Sequence, residues 1–305
     1  MKYSKKNFSS LEEMKAFVLE CENAFETRLQ TAVDTVCSVK DLKVIGLSGP
    51  TCSGKTTTAK KLVEDLSALG KKVHVVSIDN FFKETNKSGN EDEDEIDLDS
   101  IDALDLEEFE HCVDEIFRGV TAEIPNFDFI TGRRTGYTEI MPDPEDLYIF
   151  EGIQAVYPEI TRLLHKFNSK SVYICVEEGI DVEGTVFEPN EIRLMRRIVR
   201  DSNFRGASPD YTMFLWQSVR RNEEKNIFPY EKDCDVHINS VMPYEINLLS
   251  YYLRPLLATI EKGSEYYDEA QAIAVKLEGI GAIPSTLVPD GSLYYEFIEK
   301  NEDSN

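Results

Sequence analysis

Eight consecutive residues carry the clearest chemistry in this chain. Gly49-Pro50-Thr51-Cys52-Ser53-Gly54-Lys55-Thr56 fits G-x-x-x-x-G-K-[ST], the P-loop pattern. The glycines let the backbone curl until its N–H groups face an anion. Lys55 can then reach the β- and γ-phosphates of a nucleotide, and the Thr56 hydroxyl can ligate Mg²⁺. Such a loop works only between a strand that delivers it and a helix whose N-terminus adds a favourable dipole. Both are predicted here. Leu42–Ser48 reads as a short buried strand, and Thr57–Leu69 reads as a helix ending at Gly70. Gly49, Ser53, Gly54, Lys55, Thr56 and Thr57 are therefore the expected ATP-binding residues.

Three further groups could complete a phosphoryl-transfer site. The run Lys72–Ile78 reads as a second strand and ends in Asp79-Asn80-Phe81-Phe82, which places a carboxylate where ligands collect in open α/β sheets. Leu147-Tyr148-Ile149-Phe150 is a buried strand closed by Glu151-Gly152, a Walker-B-like arrangement whose carboxylate would hold Mg²⁺ directly or through water. Arg193, Arg196, Arg197 and Arg200 recur at helical spacing and are followed by Arg205-Gly206. Like charges on one helix face repel unless anions lie among them. One reading is an arginine lid over phosphates, which suits the bidentate guanidinium. The other is a solvated face neutralised by Glu191 and Asp201.

Composition narrows the partners. The 305 residues hold 33 basic and 57 acidic side chains, a formal charge of −24. That argues against nucleic acid or an anionic membrane as a partner and requires local positive charge wherever phosphate binds. Six scattered cysteines without C-x-x-C spacing suggest neither a disulfide framework nor a zinc site. Cys175 and Cys234 are expected in the core, and Cys52, inside the loop, is expected to be accessible. His74, His111, His165 and His237 share no ligand spacing and are read as structural or solvent-facing. No apolar signal segment follows the start and no run approaches transmembrane length, so a cytoplasmic location is expected.

The elements that must position these groups imply an α/β fold, a P-loop NTPase-type parallel sheet flanked by helices. Residues 1–41 read as a helical arm without chemistry, a packing or dimerisation surface that leaves room for a homo-oligomer. Residues 42–240 form the expected core, and 241–305 a helical extension with helices at 244–262 and 265–278 before a loop-rich tail. Within the core, 102–118 is an amphipathic helix, Ile124–Phe129 and the turn Thr131–Gly136 suggest a hairpin, and Val172–Val176 and Asp235–Asn239 are strands. The acidic run 91–95 reads as a solvated loop; Asp99 is open to either a loop or a binding role.

Taken in order, these motifs resemble the uridine kinase/phosphoribulokinase family, most closely its uridine kinase-like nucleoside kinases, over about residues 42–240. The similar stretches are Gly49–Thr58, Ile78–Phe82, Asp99–Asp105, Ile124–Phe129, Phe150–Ile153, Arg193–Gly206 and Val219–Pro229. The tail to residue 297 is similar to the end of longer nucleoside kinases. The resemblance implies an ATP- and Mg²⁺-dependent transfer of the γ-phosphate to a nucleoside 5′-hydroxyl. Asp79 would be the general base, Asp99 would bind ribose hydroxyls, and Phe82 and Phe127 would wall the base. Arg197, Arg200 and Arg205 would contact phosphates, with Arg197 also near the acceptor. Pyrimidine kinases of the family carry a histidine where this chain has Gly132 and an aromatic hydroxyl where it has Phe127. A second lid arginine is here Ala207, and a glutamine is here Leu215. The alternatives are a kinase of another small alcohol, as in phosphoribulokinase or pantothenate kinase, or an ATP-sensing P-loop protein without a base at Asp79.

Overall fold

Short apolar, β-branched runs make the centre of the molecule. A computed structural model describes residues 1–84, 100–129 and 131–299. Its main sheet is five-stranded and parallel, in the order β10-β7-β2-β6-β3. The strands are β2 (Val44–Ser48), β3 (Val73–Ser77), β6 (Leu147–Glu151), β7 (Ser169–Cys175) and β10 (Val236–Asn239). β2 lies at the centre with every residue buried, the continuous burial expected of a parallel strand covered on both faces.

Alternation along the strands splits most of the core between two clusters, beside a small third one of Val156, Tyr157, Tyr173 and Ile227. Ile45, Leu47, Ile149, Val172 and Ile174 face one cluster, which they share with α1 (Leu11–Cys37), α2 (Lys55–Ala68), α5 (Pro189–Phe204), α8 (Glu245–Leu257) and α9 (Tyr267–Lys276). Val44, Val76, Tyr148 and Phe150 face the other, with α3 (Leu106–Arg118), α4 (Pro158–Leu164) and the hairpin of β4 (Ala122–Asp128) and β5 (Arg133–Ile140). The first cluster thus joins residues from all three segments read in the sequence, including Leu293, Tyr294, Phe297 and Ile298 of the tail.

Local chemistry explains the element ends. Ser10 caps α1 by accepting from the Glu13 N–H at 3.1 Å, while Glu13 accepts from Ser9 N, a reciprocal N-terminal arrangement. Glu188 and Glu191 form a capping box for α5, with Pro189 in its first turn. The arm differs from its all-helical reading. Lys2–Ser4 form β1, which pairs in parallel with β8 (Ile180–Val182), itself antiparallel to β9 (Thr185–Phe187). Three residues are too few to show a period, so only the tertiary pairing defines that strand. Between α5 and β10 the chain forms α6 (Pro209–Asn226) and α7 (Phe228–Glu231).

Candidate active site

The P-loop sits where the sequence expects it, between β2 and α2. Its first glycine is required by space. A Cβ on Gly49 would stand 2.1 Å from the Ile174 carbonyl oxygen of the neighbouring strand and 2.8 Å from Ser53 Oγ. Gly54 has φ +96° where the loop turns into α2, a conformation that costs glycine little. Cys52 adopts φ +59° without being glycine and is 5% exposed, not accessible as its place in the loop suggests. The arginine helix holds this curl. Arg193 Nη1 donates to Thr51 O at 3.3 Å and Arg196 Nη1 to Cys52 O at 3.2 Å.

Lys55 Nζ donates to Gly49 O at 2.8 Å and to Pro50 O at 3.1 Å, so the ammonium lies across its own loop. An ammonium has three donors, and these bonds use two. Ser53 Oγ is buried without a hydrogen-bond partner among the described residues. A loop that leaves a buried hydroxyl and an ammonium donor for a ligand fits a bound phosphate.

Glu151, half-buried, ends β6 in register with Leu47 of β2 and Ser77 of β3. A carboxylate at that end and the exposed Thr56 offer hard oxygen donors. Among the described residues no three His, Cys, Asp or Glu side chains gather into a metal cage. Mg²⁺ is characteristically held by one or two carboxylates together with substrate phosphates, so the residues present fit that ion.

Asp79 lies in the 3-10 turn Ile78–Phe81 directly after β3. β6 separates β3 from β2, so the carboxylate is about two strand spacings, roughly 10 Å, across the sheet from the P-loop strand. The hairpin closes over this turn. The Phe127 N–H donates to Asn80 Oδ1 at 3.3 Å. Phe82, Phe127 and Phe129 form a triangle with ring centroids 5.1–5.7 Å apart, within the range of attractive edge-on pairs. Phe82 is buried, Phe127 half-buried and Phe129 51% exposed. Asp99 lies outside the described residues.

Asp105 and Arg134 have no role in the sequence reading. Asp105 Oδ1 caps α3 on Glu108 N at 3.2 Å, and its Oδ2 accepts from Arg134 Nη2 at 2.9 Å, locking the hairpin to α3. Together with Lys83, Glu84, Gly136 and Tyr137 they line a cavity of about 470 Å³. The signal for Asp105 was its place before an apolar periodic run with Glu108 three residues on; Arg134 had none, because its partner is 29 residues away.

The arginine face is neither solvated nor uniform. Arg193 is 2% exposed and pairs bidentately with Glu223 at 2.6 and 2.7 Å. Arg196 is fully buried against Glu245 at 2.7 and 2.9 Å, and the rings of Tyr294 and Phe297 each lie 5.5 Å from its guanidinium. These two are structural. The anions that neutralise these two come from α6 and α8, while Glu191 pairs instead with Lys276. Arg197, Arg200 and Arg205 gather on one buried carboxylate, Asp201, at 3.3, 2.7 and 3.6 Å. Three guanidinium groups on one carboxylate leave an excess of positive charge, the field an anionic ligand needs.

One more side chain enters from the far end of the chain. Glu296 Oε1 accepts from the Thr57 N–H, in the first turn of α2, at 2.6 Å.

Over residues 44–247 the chain matches the phosphoribulokinase/uridine kinase family. It is 28% identical over 196 residues to Uridine-cytidine kinase B of Dictyostelium discoideum, covering 64% of this chain and 73% of that protein. With Uridine-cytidine kinase 2-B of Danio rerio it shares 26% identity over 243 residues, 76% of this chain and 87% of the other. It spans only about half of some curated relatives, 46% of Uridine-cytidine kinase A of Dictyostelium discoideum and 48% of the uridine kinase of Saccharomyces cerevisiae. Among solved structures, a possible uridine kinase from Bacillus stearothermophilus aligns with TM-score 0.48 and 20% identity, over 70% of this chain and 98% of that one.

Proposed function

The chain belongs to the phosphoribulokinase/uridine kinase family, and on that premise we propose that it transfers the γ-phosphate of ATP to the 5′-hydroxyl of a nucleoside. The observation that carries the reading is one shared edge of the sheet. The P-loop after β2, Glu151 at the end of β6 and Asp79 after β3 all project from the carboxyl ends of adjacent strands. That arrangement supplies what phosphoryl transfer needs, a cradle for the donor and a carboxylate on the acceptor side.

In this reading the backbone N–H groups of Gly49, Ser53, Gly54, Lys55, Thr56 and Thr57, with the Ser53 hydroxyl and the Lys55 ammonium, hold the triphosphate. Thr56 and Glu151 would hold Mg²⁺, which would supply neutralisation of phosphate charge. Asp79 takes the proton from the attacking hydroxyl. Phe82 and Phe127 stack against the base, and Asp99 binds the ribose. Arg197, Arg200 and Arg205 form the lid. The lid assignment has its own test. Loss of one charge-assisted contact in Arg200→Ala or Arg205→Ala is expected to lower kcat about 10–100-fold with a smaller change in KM, because closure acts mainly in the transition state. Arg196→Ala is the contrast. It leaves Glu245 buried and unpaired and is expected to destabilise the fold by about 3–5 kcal/mol. Unchanged kinetics in the Arg200 and Arg205 variants, with altered melting temperatures, would reduce those two residues to scaffolding.

The acceptor is a pyrimidine nucleoside in this proposal, with uridine first. Phe127 offers no hydroxyl and Gly132 no side chain, so the base is held by stacking and shape. Such a pocket discriminates by about 1–3 kcal/mol, whereas one built on hydrogen bonds to the base discriminates far more. Measuring kcat/KM for uridine, cytidine, thymidine, adenosine and guanosine under one condition tests both parts. The expected outcome is turnover of pyrimidine nucleosides within about a hundredfold of one another. Preference for uridine over every other base by more than about a thousandfold would refute the stacking pocket. Failure with every nucleoside would move the acceptor to another small alcohol.

A further inference from the structure

Glu296 occupies a position that the phosphate-binding reading reserves for an anion, and what surrounds it shows why it is there. The 3-10 turn Leu293–Glu296 is built into the core, with Leu293, Tyr294 and Phe297 fully buried. Leu293 lies against the loop, its methyl groups 3.7 Å from where a Cβ on Gly54 would stand, an ordinary van der Waals contact. The Phe297 carbonyl accepts from Asn203 Nδ2 at 3.0 Å, tying the tail to the C-terminal end of the arginine helix. Tyr294 and Phe297 lie against Arg196, whose guanidinium also holds the Cys52 carbonyl of the loop. The tail is thus fixed to both the P-loop and the arginine helix. From it, the half-buried Glu296 side chain reaches forward to Thr57. Its charge is also felt by Arg200. Burial works against that guanidinium, but Cys52, Asp201 and Glu296 together hold its pKa above the ordinary value.

We propose that Glu296 is an intramolecular competitor for nucleotide phosphate: its carboxylate takes the Thr57 N–H when no nucleotide is bound, and must swing aside when one is. The inference rests on the phosphate-binding reading of the loop and adds to it a built-in weakening of nucleotide affinity. A carboxylate and a phosphate cannot share one N–H at hydrogen-bond distance, and the helix dipole that attracts one attracts the other. The buried anchors need not move, because the side chain alone makes the contact. The same contact stabilises the empty protein, since a carboxylate on a first-turn N–H satisfies a donor that the helix leaves unpaired.

Two opposite effects of one substitution follow. Glu296→Gln keeps the size of the side chain and removes the charge. By calorimetry, its affinity for ATP, ADP and inorganic tripolyphosphate is expected to rise about tenfold, the scale of one charge-assisted contact at a helix N-terminus. The factor should be similar for all three, because competition acts on the phosphates alone. The melting temperature of the ligand-free variant is expected to fall by a few degrees. Glu296→Asp, which keeps the charge on a shorter arm, should tighten binding less than Gln. Affinities within twofold of the wild type, or weaker, would overturn the proposal and leave Glu296 a helix cap. Lys55→Ala separates the two claims. If it abolishes tripolyphosphate binding while Glu296→Gln changes nothing, the loop assignment stands and the competition fails. If neither the wild type nor Glu296→Gln binds tripolyphosphate, both fall.

Discussion

Lys55→Ala is expected to fold and to lose at least about a hundredfold in turnover. The loss follows from charge. Lys55 is the only side-chain cation within Gly49–Thr56, and a phosphoryl group in transfer carries its charge on oxygens that must be neutralised where they stand. The structure adds what the substitution does to the protein itself. The ammonium is tethered to Gly49 O and Pro50 O, so alanine deletes two hydrogen bonds with a net worth of about 0.5–1.5 kcal/mol each. The loop is held independently by Arg193 and Arg196 on the carbonyls of Thr51 and Cys52 and by the close fit of Gly49 under Ile174. A modestly lower melting temperature with an unchanged circular-dichroism spectrum is therefore expected beside the kinetic loss. Near-normal turnover in the folded variant would remove the P-loop from the mechanism.

The contrast between what held and what changed lies in the sequence distance of the interactions. The loop, its strand and its helix are contiguous, and glycine, lysine and threonine at fixed offsets determine one another's roles within eight residues. The position of Asp79, though not its proposed role as base, was legible for the same reason, as the first polar residue after the strand run Lys72–Ile78. The arginines were legible as a cluster but not as individuals. Arg193 and Arg197 are four residues apart on one face, yet the first is neutralised by Glu223, 30 residues on, and the second by Asp201. Arg196 finds Glu245 at a separation of 49. No helical period reports which arginine meets a carboxylate from another element. Glu296, 239 residues from Thr57, is the extreme case. In the sequence it is one acidic residue in an aromatic tail, and only the folded chain brings it to the N-terminus of α2. Cys52 failed in the same way. Its place in a loop suggested access, but it is 5% exposed and belongs to the core cluster that also holds residues of the arginine helix and the tail.

Asp79→Asn is the sharper test of catalysis, because it separates the donor half of the site from the acceptor half. The amide keeps the shape of the carboxylate and gives up its ability to take a proton, and removal of a general base typically costs about 10²–10⁴ in rate. The turn Ile78–Phe81 should survive the change. It is held by the buried Ile78 and Phe81, by Asp105 N–H donating to Phe81 O at 2.7 Å, and by the antiparallel bridge between Phe82 and Leu104. Nucleotide binding should persist as well, since β6 separates the strand that leads to Asp79 from the strand that carries the loop. The expected pattern is therefore a fall in kcat of at least about a hundredfold, with the dissociation constant of ATP within about threefold of the wild type. A nucleotide-sensing protein would show the opposite insensitivity, because it needs Lys55 and Thr56 but no base beside an acceptor. If Asp79→Asn phosphorylates its acceptor at the wild-type rate, Asp79 is not the base, and the acceptor's proton must leave by way of another group. If ATP binding is lost together with turnover, Asp79 acts on the donor side, through the metal or the loop, and the division of the site proposed here is wrong.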